Sequence, residues 1–265
     1  MSYERELAVS LDALRAAGDV LRRHYEEGTR TWEKAEGDPV TLADLEADSA
    51  ILQRITAAFP GDAILSEESR RDASRLASAR VWIIDPMDGT REFTRHIPEF
   101  AVSIALATDG EPVVGAILNP IAGVTVYATR GGGTWRNGRR VHVSRCAKLE
   151  DAVLVASRTE LSRDQLTAYQ GWFRGVRKMG SIAWKLACIA SGDGDFTLSV
   201  APKNEWDVCA GDLAMREAGG SYADFAGAKR HYNQADPGVP AGMAAGPLHL
   251  LEQFGTRERA RAEHG

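Results

Sequence analysis

Residues 81–93, VWIIDPMDGTREF, run four apolar residues straight into two aspartates, a proline, a glycine and a threonine. The apolar four read as a buried strand. DPMDGT carries turn chemistry, and taken alone the stretch is a strand followed by a polar turn. Its geometry is more demanding than that. Pro86 fixes one φ and removes a backbone donor. The turn can therefore aim the carboxylates of Asp85 and Asp88, and the Met87 carbonyl between them, at one point. An all-oxygen set of this kind suits a hard cation such as Mg²⁺. Gly89 lets backbone approach a ligand closely. The helical turn that starts at Thr90 offers unpaired N–H groups and a dipole that favour an anion. A cation site beside an anion site, built by one turn, is what cleavage of a phosphate ester requires.

The surrounding pattern bounds the fold. Leu7, Leu11, Leu14, Val20 and Leu21 recur at helical spacing, and Gly28 ends that helix. TRTWEKAEGDPV reads as a loop. A second helix starts at Thr41, where Thr41 and Asp44 form an acidic variant of a capping box. Leu45, Ile51, Leu52, Ile55 and Phe59 give its apolar face, and Pro60-Gly61 stops it. AILSEES is a short strand running into acids. From Val81 to Val143, apolar runs alternate with Asp-Gly, Asn-Pro and Asn-Gly turns, the pattern of an antiparallel meander. After about Lys148 the texture changes. AVLVASR and DFTLSVA read as strands, while SRDQLTAYQGWF, GSIAWKLACIASG and EWDVCAGDLAMREAGG read as helices. Sheet and helices interleave there. The expected organisation is an α+β chain in two halves, 1–147 and 148–265, with a charged, fraying tail.

Composition removes several functions. Nothing in the net charge of -5 suggests a nucleic-acid binder held by phosphate contacts, which needs a basic stripe. Cys146, Cys188 and Cys209 are odd in number and far apart, which argues against a disulfide framework or a zinc cage and suits a reducing cytoplasm. The N-terminus lacks the apolar run of a signal peptide, and no stretch approaches the ~18 apolar residues of a membrane span.

Further acids stand near the ends of other elements: Asp44, Glu67 and Asp207. An acid near a helix N-terminus is ordinarily a cap or dipole partner, and Asp44 or Asp207 alone would be read so. Together with DPMDGT they make a stronger pattern. DPVTLAD, SEES, WIIDPMDGTREF, GSIAWKLACIASG and EWDVCAGDLAMREAGG resemble the signature segments of the inositol monophosphatase superfamily, and the resemblance covers most of the chain. It implies a layered αβαβα sandwich, as in inositol monophosphatase and fructose-1,6-bisphosphatase, and a Mg²⁺-dependent, lithium-sensitive phosphomonoesterase. It also implies roles. Glu67, Asp85 and the Met87 carbonyl would bind one metal; Asp85, Asp88 and Asp207 would share a second; a weaker third would lie near Glu67. Thr90 with Asp44 would orient and deprotonate the attacking water. Gly89 and Thr90 would hold the phosphate through backbone N–H groups. The implied chemistry is in-line attack of a metal-activated water, with no covalent enzyme intermediate.

Within the superfamily the details lean to the 3'(2'),5'-bisphosphate nucleotidases. DGTREF and KAEGDPVTLAD resemble their segments, which would place Lys34 and Glu36 beside the metals, although Asp38 stands where those loops often carry Ser. VASRTE resembles their segment after the strand, so that Arg158 would meet a second phosphate. SVAPKNEWD lacks the glutamate with which many inositol enzymes hold a sugar hydroxyl. It offers Lys203 and Asn204 instead. Lys185 and Trp184 are similarly placed, although Trp184 fits a core position at least as well. The expected reaction is conversion of 3'-phosphoadenosine 5'-phosphate to AMP and phosphate. Inositol 1-phosphate, histidinol phosphate and fructose 1,6-bisphosphate are alternative substrates, and a catalytically inactive metal-binding protein of the same fold is the alternative of another class. Partners are then a small phosphorylated metabolite and, at most, a second copy of the chain.

Overall fold

The computed structural model describes residues 3–35, 38–68 and 73–264. The chain starts with α1 (Glu4–Glu27), β1 (Thr31–Ala35), β2 (Asp38–Thr41) and α2 (Leu42–Ala58). Gly28, at φ 88°, ends α1. The α2 capping box forms as read: Thr41 Oγ1 accepts from the N–H groups of Ala43 and Asp44, and Asp44 Oδ2 accepts from the Thr41 N–H. The segment read as a loop is instead an antiparallel pair, Thr31 opposite Thr41 and Trp32 opposite Val40. Its Glu, Lys and Pro residues have low strand propensity, so pairing rather than local preference makes these strands.

A seven-stranded sheet follows: β3 (Ala63–Ser66), β4 (Arg80–Asp88), then, after the short α3 (Thr90–Thr94), β5 (Ala101–Thr108), β6 (Glu111–Asn119), β7 (Val124–Thr129), β8 (Gly133–Arg136) and β9 (Arg139–Val141). The strands lie in chain order. Only β3–β4 is parallel; the rest is the expected meander. Strand β4 does not stop at Ile84. It runs on to Asp88 with a register shift against β5 between Asp85 and Asp88. Pro86 and Met87 sit in that irregularity, where a proline takes no donor from the ladder. The stretch that reads as a turn is thus the bulged end of a central strand.

The second half contains β10 (Val153–Ser157), α4 (Arg158–Ser162), α5 (Thr167–Gln170), β11 (Gly175–Met179), α6 (Ile182–Ala190), β12 (Thr197–Ser199), β13 (Lys203–Asn204), α7 (Glu205–Glu217), β14 (Gly220–Asp224), β15 (Gly238–Val239), β16 (Met243–Pro247) and α8 (Leu248–His264). Of the helix expected over residues 162–173 only the short α5 forms; α4 lies before it and ends at Ser162, and Asp164 takes a left-handed φ of 55° between the two. The charged tail is helical through His264.

Alternation along the central strands sorts the layers. Trp82, Ile84, Ile104 and Leu106 pack with Leu14, Leu21, Ile51 and Ile55 of α1 and α2. Val81, Ile83, Ala105 and Ile117 face Leu186 of α6 and Cys209 and Leu213 of α7. Beyond α6 and α7, β12–β16–β14 forms one small sheet and parallel β10–β11 another, linked by a bridge from Leu154 to Phe196. Phe254 of α8 closes the far side with Phe196 and Trp172. The result is an αβαβα sandwich. The core beneath the large sheet draws on both sides of the 147/148 boundary. Among the described residues no helix is long and apolar enough to cross a membrane.

Candidate active site

One cleft, about 370 Å³, opens at the end of β4. Glu67, Asp85, Met87, Asp88, Gly89, Thr90 and Asp207 line it on one side. The bulge delivers Asp85 and Asp88, the end of β3 delivers Glu67, and the first turn of α7 delivers Asp207. Each of the three aspartates is anchored by one oxygen. Asp85 Oδ1 accepts from Met87 N at 2.9 Å. Asp88 Oδ2 accepts from the Ser181 hydroxyl at 2.7 Å and from Ala183 N at 2.6 Å, at the start of α6. Asp207 Oδ2 accepts from Asn204 N at 2.7 Å, half of a capping box. Among the described residues the second oxygen of each makes no protein hydrogen bond, so each side chain is fixed by one atom and offers the other.

Burial, and then the charges of Glu67, Asp88 and Asp207, push the Asp85 carboxyl well above the usual range. Burial and the Asp88 charge do the same to Asp207. Asp88 is raised by burial, with the α6 donors and the lysines opposing. Four carboxylates lining one cleft, with Asp85 buried and the others partly so, repel one another unless a cation joins them. Their donors are all oxygen, with the Met87 carbonyl among them, which is the chemistry of a hard divalent ion. Among the described residues, no three Asp, Glu, His or Cys side chains are already drawn together as a finished cage. The donor set fits Mg²⁺ chemically.

Beside these acids, the Thr90 hydroxyl lies 3.1 Å from Asp44 Oδ1 and 3.2 Å from the Met87 carbonyl. Having one proton, it donates to one of them at a time. Asp44 is buried, and burial pushes it up to about 7 against the hydrogen bonds from Thr41. That is a useful value for accepting a proton near neutrality. Gly89 sits at φ 104°, and a Cβ there would lie 3.1 Å from Glu99 O and Phe100 Cβ. Conformation and space both require glycine at that point. The N–H groups of the turn that follows precede the first intrahelical bonds of α3, as an anion site needs.

The other wall comes from the second half. Lys185 of α6 is buried yet lines the cleft, as do Lys203, Asn204, Glu160, Arg163 and Gln165. Burial pushes Lys185 down to about 8 despite the favourable charges of Asp88 and Glu160. Among the described residues, Lys203 Nζ makes only long contacts with the carbonyls of Ala201 and Pro202, at 3.4 and 3.3 Å.

Two expected substrate residues are placed differently. Arg158 does not line the cleft. Its guanidinium grips Glu99 at 2.7 and 2.8 Å, and Glu99 Oε2 also accepts from Gly180 N. Burial works against the Glu99 carboxylate, but these bonds outweigh it and hold its pKa below the ordinary value. Arg158 thus braces the loop that enters α6 and is not turned to a second phosphate. Trp184 packs in the core under the sheet and is not among the cleft's lining residues. Glu36 lies outside the described residues, as do the side chains of Lys34 and Asp38. Sequence reasoning passed over Ser181, Glu160 and Arg163. For Ser181 a signal existed: Gly-Ser before an apolar helix marks an N-cap, and Ser181 Oγ accepts from Trp184 N as well as donating to Asp88.

The model of the inositol monophosphatase family matches residues 2–255. The chain belongs to the inositol monophosphatase family. It is accordingly a phosphoric monoester hydrolase acting on small phosphorylated substrates, in a family whose members are generally metal-dependent. An inositol-1-monophosphatase of Mesorhizobium japonicum is 37% identical over 238 residues, covering 86% of this chain and 88% of that protein. The Nus factor SuhB of Escherichia coli is 33% identical over 232 residues, covering 83% and 85%. Among solved structures, an inositol monophosphatase of Thermotoga maritima superposes with a TM-score of 0.85 at 29% identity, over 98% of this chain and 99% of that one. CysQ of Bacteroides thetaiotaomicron, a bacterial member of the same family, superposes at 0.77 with 28% identity, over 93% and 98%.

Proposed function

We propose that the protein is a Mg²⁺-dependent phosphomonoesterase whose substrate carries a second anionic group, with 3'-phosphoadenosine 5'-phosphate as the representative. Glu67, Asp85, the Met87 carbonyl, Asp88 and Asp207 would hold two or three Mg²⁺ ions, which when bound supply Lewis-acid polarisation of the attacking water and the leaving oxygen. The chain's own groups do the rest. Thr90 Oγ1 accepts a proton from the water and passes its own to Asp44 Oδ1. The N–H groups of Gly89 and Thr90 hold the phosphoryl oxygens. Lys185, Lys203 and Arg163 receive the part of the substrate beyond the scissile ester.

The observation that carries the substrate class is that cationic wall, Lys185, Lys203 and Arg163 lining the same cleft as the acids. One phosphate among metal ions does not need it, whereas a second phosphate does. A second reading, inositol monophosphatase, is favoured by the pairing of Arg158 with Glu99, which withdraws a guanidinium that the nucleotidase reading would use. Phosphate release from 3'-phosphoadenosine 5'-phosphate, inositol 1-phosphate, fructose 1,6-bisphosphate and histidinol phosphate decides between them. The bisphosphate nucleotide is expected to give the highest kcat/KM, and a clear preference for inositol 1-phosphate would select the second reading. The absence of nucleic-acid binding, the cytoplasmic setting and the choice between monomer and homodimer belong to the same proposal.

A further inference from the structure

Glu160 is a buried carboxylate that the reaction above does not use, although it lines the same cleft. It stands in the first turn of α4, where its N–H faces the capping Ser157 hydroxyl. Its two oxygens differ sharply. Oε1 accepts from Val200 N at 2.7 Å, Ala201 N at 2.9 Å and the Ser199 hydroxyl at 2.9 Å. Oε2 is buried and has no partner among the described residues. A buried acceptor with no donor is costly to maintain, and such atoms ordinarily find a partner when the molecule is at work. Three donors on Oε1 fix the side chain, so Oε2 cannot swing away to find one within the protein. The turn that Glu160 holds, 199–201, leads directly into Pro202 and Lys203 on the cleft wall. Lys185 feels the Glu160 charge as well.

We infer that Glu160 is a specificity residue: Oε2 accepts a hydrogen bond from a hydroxyl on the alcohol part of the substrate, next to the lysines that receive its anionic group. This rests on the phosphomonoesterase reading and narrows it to alcohols that carry a free hydroxyl besides the esterified one. A site built around a buried acceptor rejects an analogue lacking the donor, because the acceptor is then left unpaired.

The test compares ester pairs that differ in hydroxyls: 3'-phosphoadenosine 5'-phosphate with its 2'-deoxy counterpart, and inositol 1-phosphate with cyclohexyl phosphate. Wild-type protein with Mg²⁺ is expected to prefer the hydroxylated member of the pair it turns over by about 10- to 100-fold in kcat/KM. Glu160→Gln keeps an acceptor for the 199–201 donors and puts an amide N–H₂ where Oε2 stands. It is expected to bring that ratio close to one. Ser199→Ala removes an anchoring donor without altering Oε2, and is expected to lower Tm while keeping the ratio. A wild-type preference in neither pair, or an equal loss on both members in Glu160→Gln, overturns the inference while leaving the phosphatase reading intact. No turnover of any of the four esters by wild-type protein overturns both.

Discussion

The two walls of the cleft are built in different ways. The acidic wall is largely one contiguous run, Asp85 to Thr90, at the bulged end of a central strand, with Glu67 and Asp207 brought up by two neighbouring elements and Asp44 buried behind Thr90. Asp85, Asp88 and Asp207 are each pinned by backbone or hydroxyl donors. The cationic wall is assembled from α4, α6 and the 199–204 segment, and Lys203 on it is held only by long contacts to two carbonyls among the described residues. A rigid wall suits chemistry, where geometry sets the rate. A wall of separate pieces suits selection, because each piece can vary without disturbing the reacting atoms.

Substitutions on the two walls should therefore have different signatures. The largest effect is expected from Asp88→Asn, with kcat down by at least about 10³-fold on every substrate while the circular-dichroism spectrum is retained. Thr90→Ala should follow, with a uniform loss of about 10²- to 10⁴-fold. A loss confined to one substrate by either change would break the division of labour. The acid limb of the kcat/KM profile tests Asp44. The carboxyl accepts a proton only when ionised, so activity should rise with pH through an apparent pKa at or below about 7. Bound cations can move that limb only downward. A limb well above 7 would remove Asp44 from the role.

On the cationic wall the effect should be smaller and selective. Lys203→Met should raise KM by about 10-fold for an ester with a second anion, and by much less for one without. Lys185→Met should do the same and also stabilise the fold. Burial lowers the Lys185 pKa to about 8, so its charged form opposes folding below pH 8, and that penalty disappears as pH rises from about 8 towards 10.5. The gain should be read from denaturant midpoints and should shrink as pH rises through that window. The smallest effect on turnover is expected from Arg158→Ala, which should lower Tm and leave substrate preference within a few-fold, since Arg158 pairs with Glu99.

The Asp85–Thr90 part of the acidic wall was legible in the sequence because its chemistry is local, whereas Glu67, Asp207 and Asp44 were assigned to it only through the family resemblance. A strand, a proline, a glycine and two aspartates within six residues leave few geometries. The capping box at Thr41 and the meander from Val81 were legible for the same reason. What escaped depended on distant partners. The β1–β2 pairing goes against local propensity. Arg158 looked like a phosphate ligand until Glu99, 59 positions away, claimed it. Glu160 has no motif at all; only the convergence of three donors from residues 199–201 on one oxygen sets it apart.

The central claim is that the acids of the first wall work through a bound cation on a phosphate ester. Its most direct measurement is inorganic phosphate release from 3'-phosphoadenosine 5'-phosphate as Mg²⁺ is titrated in, by wild-type protein and by Asp88→Asn. The expected result is turnover that rises from near zero to saturation with Mg²⁺ in the wild type and stays near zero in the variant. Release that is independent of Mg²⁺, or equal in the two proteins, would contradict it.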